Sequence, residues 1–522
     1  MPCILGLSKL LLKKEKVIMG KSKYDGENGV HRVPLWRIGG FALNNTATNM
    51  YMFLMNFIAY YLTGFVGVAV VTASSFAMFM RIWDGVTDPF IGYLVDKTNG
   101  KFGKNRPFMI IGQIILCVMS FIMFHLTPMI PEAGRFAFFI VMAAIYYIGY
   151  TFQCVVTKSA QTCLTNDPNQ RPLFSMFDAG YNTILFAVMA VVATNIATAN
   201  GGFYEQTTWN TLWLLTACTS AIFTIIAVIS ISPKDNAKYF GTGAPQKVSF
   251  KDYWETIKGN RAIQMLIVSA SSDKLATSMR TSTIYIVLFG LLAGSYSVYG
   301  TMTGITTVPS TIIAMAFVGL FATKMGQRKA MLFGSIGGII LNAVMILLWT
   351  VGDPTSMVNA EGGLQWGFFA VAYLVLTVAI AGFQGISGNI VIPMTADCAD
   401  YEVYRTGKYV PGLMGTLFSL VDKLISAFAP LITGVMLAAI GFKETLPDAT
   451  TTMAMMNDGV SAYQGINVSA IAPVSLFLAF GTVIIGLLLN VIALKFYPLT
   501  KEYMAEIQGE IAAIKAKYNA QA

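Results

Sequence analysis

Arg81–Pro107 reads RIWDGVTDPFIGYLVDKTNGKFGKNRP. It starts inside an apolar run and ends in a basic loop. Asp84 and Asp88 stand four residues apart, so on a helix they share one face. Asp96, Lys97, Lys101, Lys104 and Arg106 follow, spaced by Gly92, Gly100 and Gly103. A carboxylate is costly to hold within a bilayer, and its default reading there is functional. A basic loop between apolar runs reads as cytoplasmic. This one stretch therefore predicts both an intramembrane site and an orientation.

The composition agrees. The chain has 522 residues, of which 55% are hydrophobic and 12% charged, against about 25% charged in soluble domains; its mean hydropathy is +0.62. The formal charge of +9 does not point to nucleic acid, because the basic residues cluster in loops between apolar runs. Six scattered cysteines show no metal-ligand spacing and argue against a disulfide framework, and two histidines leave little room for histidine-rich metal chemistry. Near the start, ILGLSKLLL is short and is followed by Lys13, Lys14 and Lys16 without a small-residue cleavage site, so residues 1–35 read as a cytoplasmic tail.

Apolar runs long enough to span a membrane, about 20 residues each, start near Trp36, Val70, Pro107, Phe136, Leu173, Trp209, Ala262, Val298, Ala330, Trp366, Pro411 and Ala470. The expectation is an all-α membrane protein of about twelve spans in two bundles, 36–231 and 262–497. A cytoplasmic loop at 232–261 joins them and a tail at 498–522 follows. Loops assigned inside carry Lys97, Lys101, Lys104, Arg106, Arg171, Lys234, Lys258, Arg261, Lys324, Arg328, Lys329, Arg405 and Lys408; those outside carry little beyond Arg135 and Lys443. Both termini are then cytoplasmic. GLFATKMGQRKA, from Gly319, echoes the opening stretch and points to two related halves. In the tail, Met504, Ile507, Ile511 and Ile514 share a helical face that suits the lipid of the inner leaflet, with an oligomer contact as the alternative. A monomer is the expectation.

Helix rise places Asp84 near mid-membrane and Asp273 and Lys274 about 17 Å into the seventh span, with Asp422 and Lys423 at a similar depth in the eleventh. Such charges can compensate one another across a polar cavity or form static ion pairs; for Asp273, Lys274 and Arg280 simple pairing is the expectation. Lys158 and Asp178 flank an inside loop at matching distances, close enough to pair if both face inward. Asn44, Asn45 and Asn49 on the first span can meet substrate hydroxyls or bond between helices. Trp83, Tyr146, Tyr147, Phe152 and Tyr181 can stack on a sugar face or simply pack. No nucleotide-binding loop, nucleophile elbow or zinc-helix motif is complete, so the chain does not read as an enzyme or an ATP-driven pump.

Arg81–Pro107 closely resembles the second-span signature of the glycoside–pentoside–hexuronide:cation symporters, the melibiose-permease-like branch of the major facilitator superfamily. ADCADYEVYRTGKYVPGLMGTLFSLVDKL (396–424) resembles the tenth-to-eleventh-span signature, and GNRAIQMLIVS a weaker one after the central loop. The resemblance implies a two-bundle fold with alternating access in the plasma (inner) membrane, moving a sugar, glycoside or uronide with sodium or protons. It implies no cofactor beyond that coupling ion. It implies that Asp84 and Asp88 bind the coupling cation (sodium, if sodium-coupled), with Lys423 beside them. Asp96, Lys104 and Arg106, and later Asp397, Asp400, Tyr401, Glu402 and Arg405, match the cytoplasmic gate patterns. The sugar-binding half departs from the family: no acid lies between Arg37 and Asp84, Val156 and Ala160 replace an acid and an aromatic, and Asp178 stands where an arginine is usual. A carrier of amphipathic solutes, or a non-transporting receptor of the same fold, is the alternative.

Overall fold

The computed structural model describes residues 32–98, 100–165, 170–236, 257–280, 282–406, 421, 423–446, 467–504, 506–507 and 510. Regular structure in these residues is helical, apart from isolated β-bridges at Gly100–Gly103 and Val358–Leu364. The helices are α1 (Leu35–Met55), α2 (Val70–Lys97), α3 (Arg106–Phe121), α4 (Glu132–Ser159), α5 (Arg171–Ala199), α6 (Gln206–Ile231), α7 (Arg261–Ser278), α8 (Tyr296–Met325), α9 (Gln327–Val351), α10 (Phe368–Thr406), α11 (Phe428–Ala439) and α12 (Val468–Leu476, continued through a π turn by Thr482–Lys495). Their starts fall within four residues of those expected, except at Pro411, which lies outside the described residues.

Seven stretches have the length and apolarity of a membrane span: Arg106–Met129, Glu132–Thr157, Met176–Ala199, Gln206–Ile231, Gln327–Val351, Phe368–Ser387 and Ser469–Lys495. The pair Arg261–Ser278 and Thr283–Ala293, bent by 45°, is an eighth if taken as one span. α2 falls short because Arg81, Asp84 and Asp88 interrupt it, the polarity expected of a helix turned toward an interior cavity rather than lipid.

Packing repeats with a shift of six helices. In the first half α1 packs on α5 and α6, α2 on α4, and α3 on α4 and α6; in the second α7 packs on α11 and α12, α8 on α10, and α9 on α10 and α12. The backbone repeats as well. The extension of α1 ends in a π turn, Leu62–Val66, closed by Gly67 at φ +79°; that of α7 ends in Val287–Ala293, closed by Gly294 at φ +92°. Gly103 and Gly326, in the turns before α3 and α9, are both left-handed, at φ +85° and +78°. Only glycine adopts this conformation without penalty, so the echo between the two glycine-and-basic stretches has a backbone cause.

The halves meet through α2 on α11 and α5 on α8. One end of the molecule carries Lys101, Lys104, Arg106, Lys258, Arg261, Arg328, Lys329 and Arg405 and is called the basic end. The opposite, far end carries Arg135 and Lys443 among the acids Glu132, Glu205, Asp353, Glu361 and Glu444.

Candidate cation and substrate site

The i,i+4 spacing of Asp84 and Asp88 sets both carboxylates on the α2 face that meets the second half. Lys423, just before α11, bridges them: its Nζ lies 3.2 Å from Asp84 Oδ2 and also donates to Asp88 Oδ2. Asp84 is buried, and the other two side chains remain about a third exposed or less. Thr151 Oγ1 on α4 donates to Asp84 Oδ1 (3.0 Å) and lies 3.1 Å from Thr87 Oγ1. Two carboxylates thus share one ammonium, and the Thr151 hydroxyl, itself next to that of Thr87, donates to the other oxygen of Asp84. The trio carries one net negative charge, and its oxygens are suitable ligands for a small hard cation or a proton. Thr87 and Thr151 carried no signal in the sequence, because helix threonines commonly bond the preceding turn, as Thr151 does to Tyr147 O (2.9 Å).

Above the trio, toward the far end, lies a cavity of about 400 Å³ between the halves, within the range of small-molecule sites. Arg81, Asp84, Lys274, Arg280 and Lys423 line it, with Tyr146, Tyr147 and Tyr150 of α4 and Asn56 of α1. Among the described residues Arg81 makes no ion pair, and its place in the cavity was not foreseen.

Several expectations are corrected. Arg280 does not pair with Asp273: two turns, about 10 Å of helix rise, separate them, and the guanidinium instead donates to Ala479 O, Gln384 Oε1 and Asn342 Oδ1. Asp273 Oδ1 is buried without a hydrogen-bond partner. Asn44, Asn45 and Asn49 do not line the cavity. Asn44 donates to Thr157 Oγ1 (2.8 Å), Asn45 to Asp178 Oδ1 (2.7 Å) and Asn49 to Asn182 Oδ1 (2.8 Å), so they bond α1 to α4 and α5. Asp178 also accepts from Asn182 (2.9 Å); the side chain of Lys158 lies outside the described residues. Phe152 packs on Phe108, and Tyr181 on Phe177 and against Gly39. Both are spent on packing within the first half. Of the aromatics considered, Tyr146 and Tyr147 reach the cavity, whereas Trp83 donates to Ala144 O (3.1 Å).

Two of the gate residues, Arg106 and Glu402, form described clusters within their own halves. Asp235, buried beyond α6, accepts from the backbone N–H of Lys104 (3.1 Å), Asn105 (3.1 Å) and Arg106 (2.9 Å), and lies 3.4 Å from Arg106 Nε. It caps α3, a role the sequence did not reveal for a lone acid at the edge of a long loop. Glu402 pairs with Arg405 (2.8 Å) and accepts from Asn260 Nδ2 (2.8 Å), whose own Oδ1 caps α7 at Ile263 N–H. Asp400 sits half-buried on α10, and the side chains of Asp96 and Asp422 lie outside the described residues. Neither described cluster crosses between halves, because each carboxylate belongs to the same half as its base.

Besides the Lys423 bridge, the described residues include further cross-half contacts at the far end. Val70 N–H donates to Lys443 O (2.8 Å), and Tyr204 Oη to Leu446 O (2.9 Å). A Cβ on Gly434 would collide with Ser74, and one on Gly300 with Thr194. Toward the basic end the same α2 face carries Gly85 and Gly92, and α5 carries Gly180. Among the described residues a Cβ at any of the three meets no atom within 4 Å. The close contacts described between the halves in these two seams lie toward the far end.

A family model described as "MFS/sugar transport protein" matches residues 40–501. The glucuronide carrier protein homolog of Escherichia coli (strain K12) is 23% identical over 91% of this chain and 95% of its own. The isoprimeverose transporter of Lactiplantibacillus pentosus is 21% identical over 77% and 80%. Among solved structures, the nucleoside transporter NupG superposes with a TM-score of 0.55 at 12% identity, over 88% of this chain and all of its own. A bacterial homolog of the lysosomal transporter Spinster, inward-facing and occupied, does so at 0.54 and 13%, over 92% and 97%. At such identities the structural likeness establishes the fold.

Proposed function

The chain belongs to the MFS/sugar transport family, and we propose that it is a cation-coupled symporter of an acidic sugar, such as a uronide, in the plasma membrane, acting as a monomer with its basic end and both termini in the cytoplasm. The observation that carries this reading is the bridge from Lys423 to Asp84 and Asp88, since it joins the two halves that must move apart. Without a coupling ion the trio is held across the interface with one uncompensated negative charge. A sodium ion or proton on the carboxylates removes that charge and competes with the ammonium for their oxygens. Ion binding thereby loosens a cross-half tie and alters the balance between conformations, which is what coupling requires.

The cavity's charge selects among substrates. Among the described residues lining the cavity, Arg81, Lys274, Arg280 and Lys423 outnumber the carboxylate of Asp84, an excess of positive charge to which a bound cation adds. An anionic group on the solute offsets this excess, while Tyr146, Tyr147 and Tyr150 offer ring faces and hydroxyls to a sugar. The name of the Escherichia coli relative, a glucuronide carrier homolog, supports the same class. Thermal-shift titration with uronides, neutral glycosides and lysolipids, with and without sodium across a pH series, tests it. Uronides should stabilise the protein, and more so when the coupling ion is present. Stabilisation by neutral glycosides or lysolipids alone would contradict the proposal.

A further inference from the structure

A second cavity, of about 420 Å³, lies at the basic end where the turn between α8 and α9 meets the end of α12 and the start of the tail. Its rim is cationic: Arg328, Lys329, Lys495 and Lys501 surround it, Lys324 borders the adjoining hollow, and the acid present is Glu502. Its floor is apolar, formed by Met325, Leu332, Val491 and Ile492, and Ile492 is 55% exposed on the outer surface of the bundle. The rim is rigidly built. Arg328 donates from Nε to Leu494 O (3.0 Å) and from Nη2 to Lys495 O (3.2 Å), clamping α9 to α12. Gly326, lacking a Cβ, lets Lys501 lie over the turn.

The internal repeat says what is missing. In the first half the equivalent turn, with Gly103 and Arg106, closes on the buried carboxylate of Asp235. In the second half Arg328 takes main-chain carbonyls instead, and Glu502 sits 69% exposed beside Lys329 at 3.4 Å. Among the described residues no buried acid fills the corresponding place, and the cavity rim keeps an excess of basic side chains.

We propose that this cavity binds the headgroup of an anionic phospholipid, with the phosphate among Lys329, Lys501 and Arg328 and an acyl chain along Ile492 and Val491. A basic rim over an apolar, outward-facing floor matches a charged head on a hydrocarbon tail, and matches neither a free sugar nor a free phosphate. The test uses the full chain in detergent, by native mass spectrometry and melting temperature. The added probes are phosphatidylglycerol, phosphatidylcholine with the same acyl chains, or glycerol phosphate without chains. Phosphatidylglycerol should be retained and should raise the melting temperature more than phosphatidylcholine does, and K329Q/K501Q should weaken its retention roughly tenfold. Both lysines are solvent-exposed, so the variant folds as the parent does. Equal effects of the two lipids, a full effect of glycerol phosphate alone, or undiminished selectivity in K329Q/K501Q would each overturn the assignment.

Discussion

One ammonium serving two carboxylates is an unstable bargain if any partner is lost. Lys423→Gln leaves Asp84 and Asp88 facing each other without the ammonium that bridges them. The variant should lose roughly 1–3 kcal/mol of stability, less than a fully buried pair because the site is partly open to solvent. Sodium or a lower pH should recover more of its melting temperature than in the parent, since a cation or proton then replaces the missing charge. Equal cation responses in the two proteins would refute the competition. Asp84, Asp88 and Lys423 were legible in the sequence because charge inside an apolar run is expensive and needs a reason. Thr87, Thr151 and Arg81 were not. The hydroxyls look like any helix threonine, and which face of α2 meets the cavity depends on α11, far away in sequence. Asn44, Asn45 and Asn49 were equally visible but were spent on holding α1 to its neighbours.

Where both are described, α2 and α11 pack closely toward the far end. Near the far end Ser74 sits against Gly434 with no room for a side chain; near the basic end no atom of a described residue lies within 4 Å of a Cβ at Gly85 or Gly92. Gly434→Leu should force the far end apart and raise labelling of a cysteine placed near Ser74 from that side. Gly92→Leu meets no described atom and should be tolerated in the folded protein, while hindering movement of α2 against the second half. It should slow uptake while leaving the melting temperature nearly unchanged. Loss of far-end labelling in Gly434→Leu, or normal uptake by Gly92→Leu, would contradict this division. Helix positions were readable from apolar run length, and the two glycine-and-basic stretches hinted at the repeat. The π turns at Leu62–Val66 and Val287–Ala293 were not readable, because nothing in composition separates them from an α-helical end except a following glycine.

At the scale of the whole molecule, the packed far end and the cross-half ion pair suit one station of an alternating-access cycle. The far-end contacts hold the cavity away from one side, and the charge of the trio decides whether leaving this station is favourable. Loading the carboxylates with a cation, and the cavity with an anion, removes both penalties together; loading either alone leaves one behind. Uptake should therefore be stoichiometrically coupled and lost when a carboxylate cannot hold the ion. The most direct measurement is accumulation of a radiolabelled uronide in proteoliposomes, with and without an inward cation gradient, for the parent and for Asp88→Asn. The parent should accumulate solute against its gradient only when the cation gradient is imposed, and Asp88→Asn should equilibrate solute without concentrating it. Full gradient-driven accumulation by Asp88→Asn would contradict the assignment of these carboxylates as the seat of the driving ion.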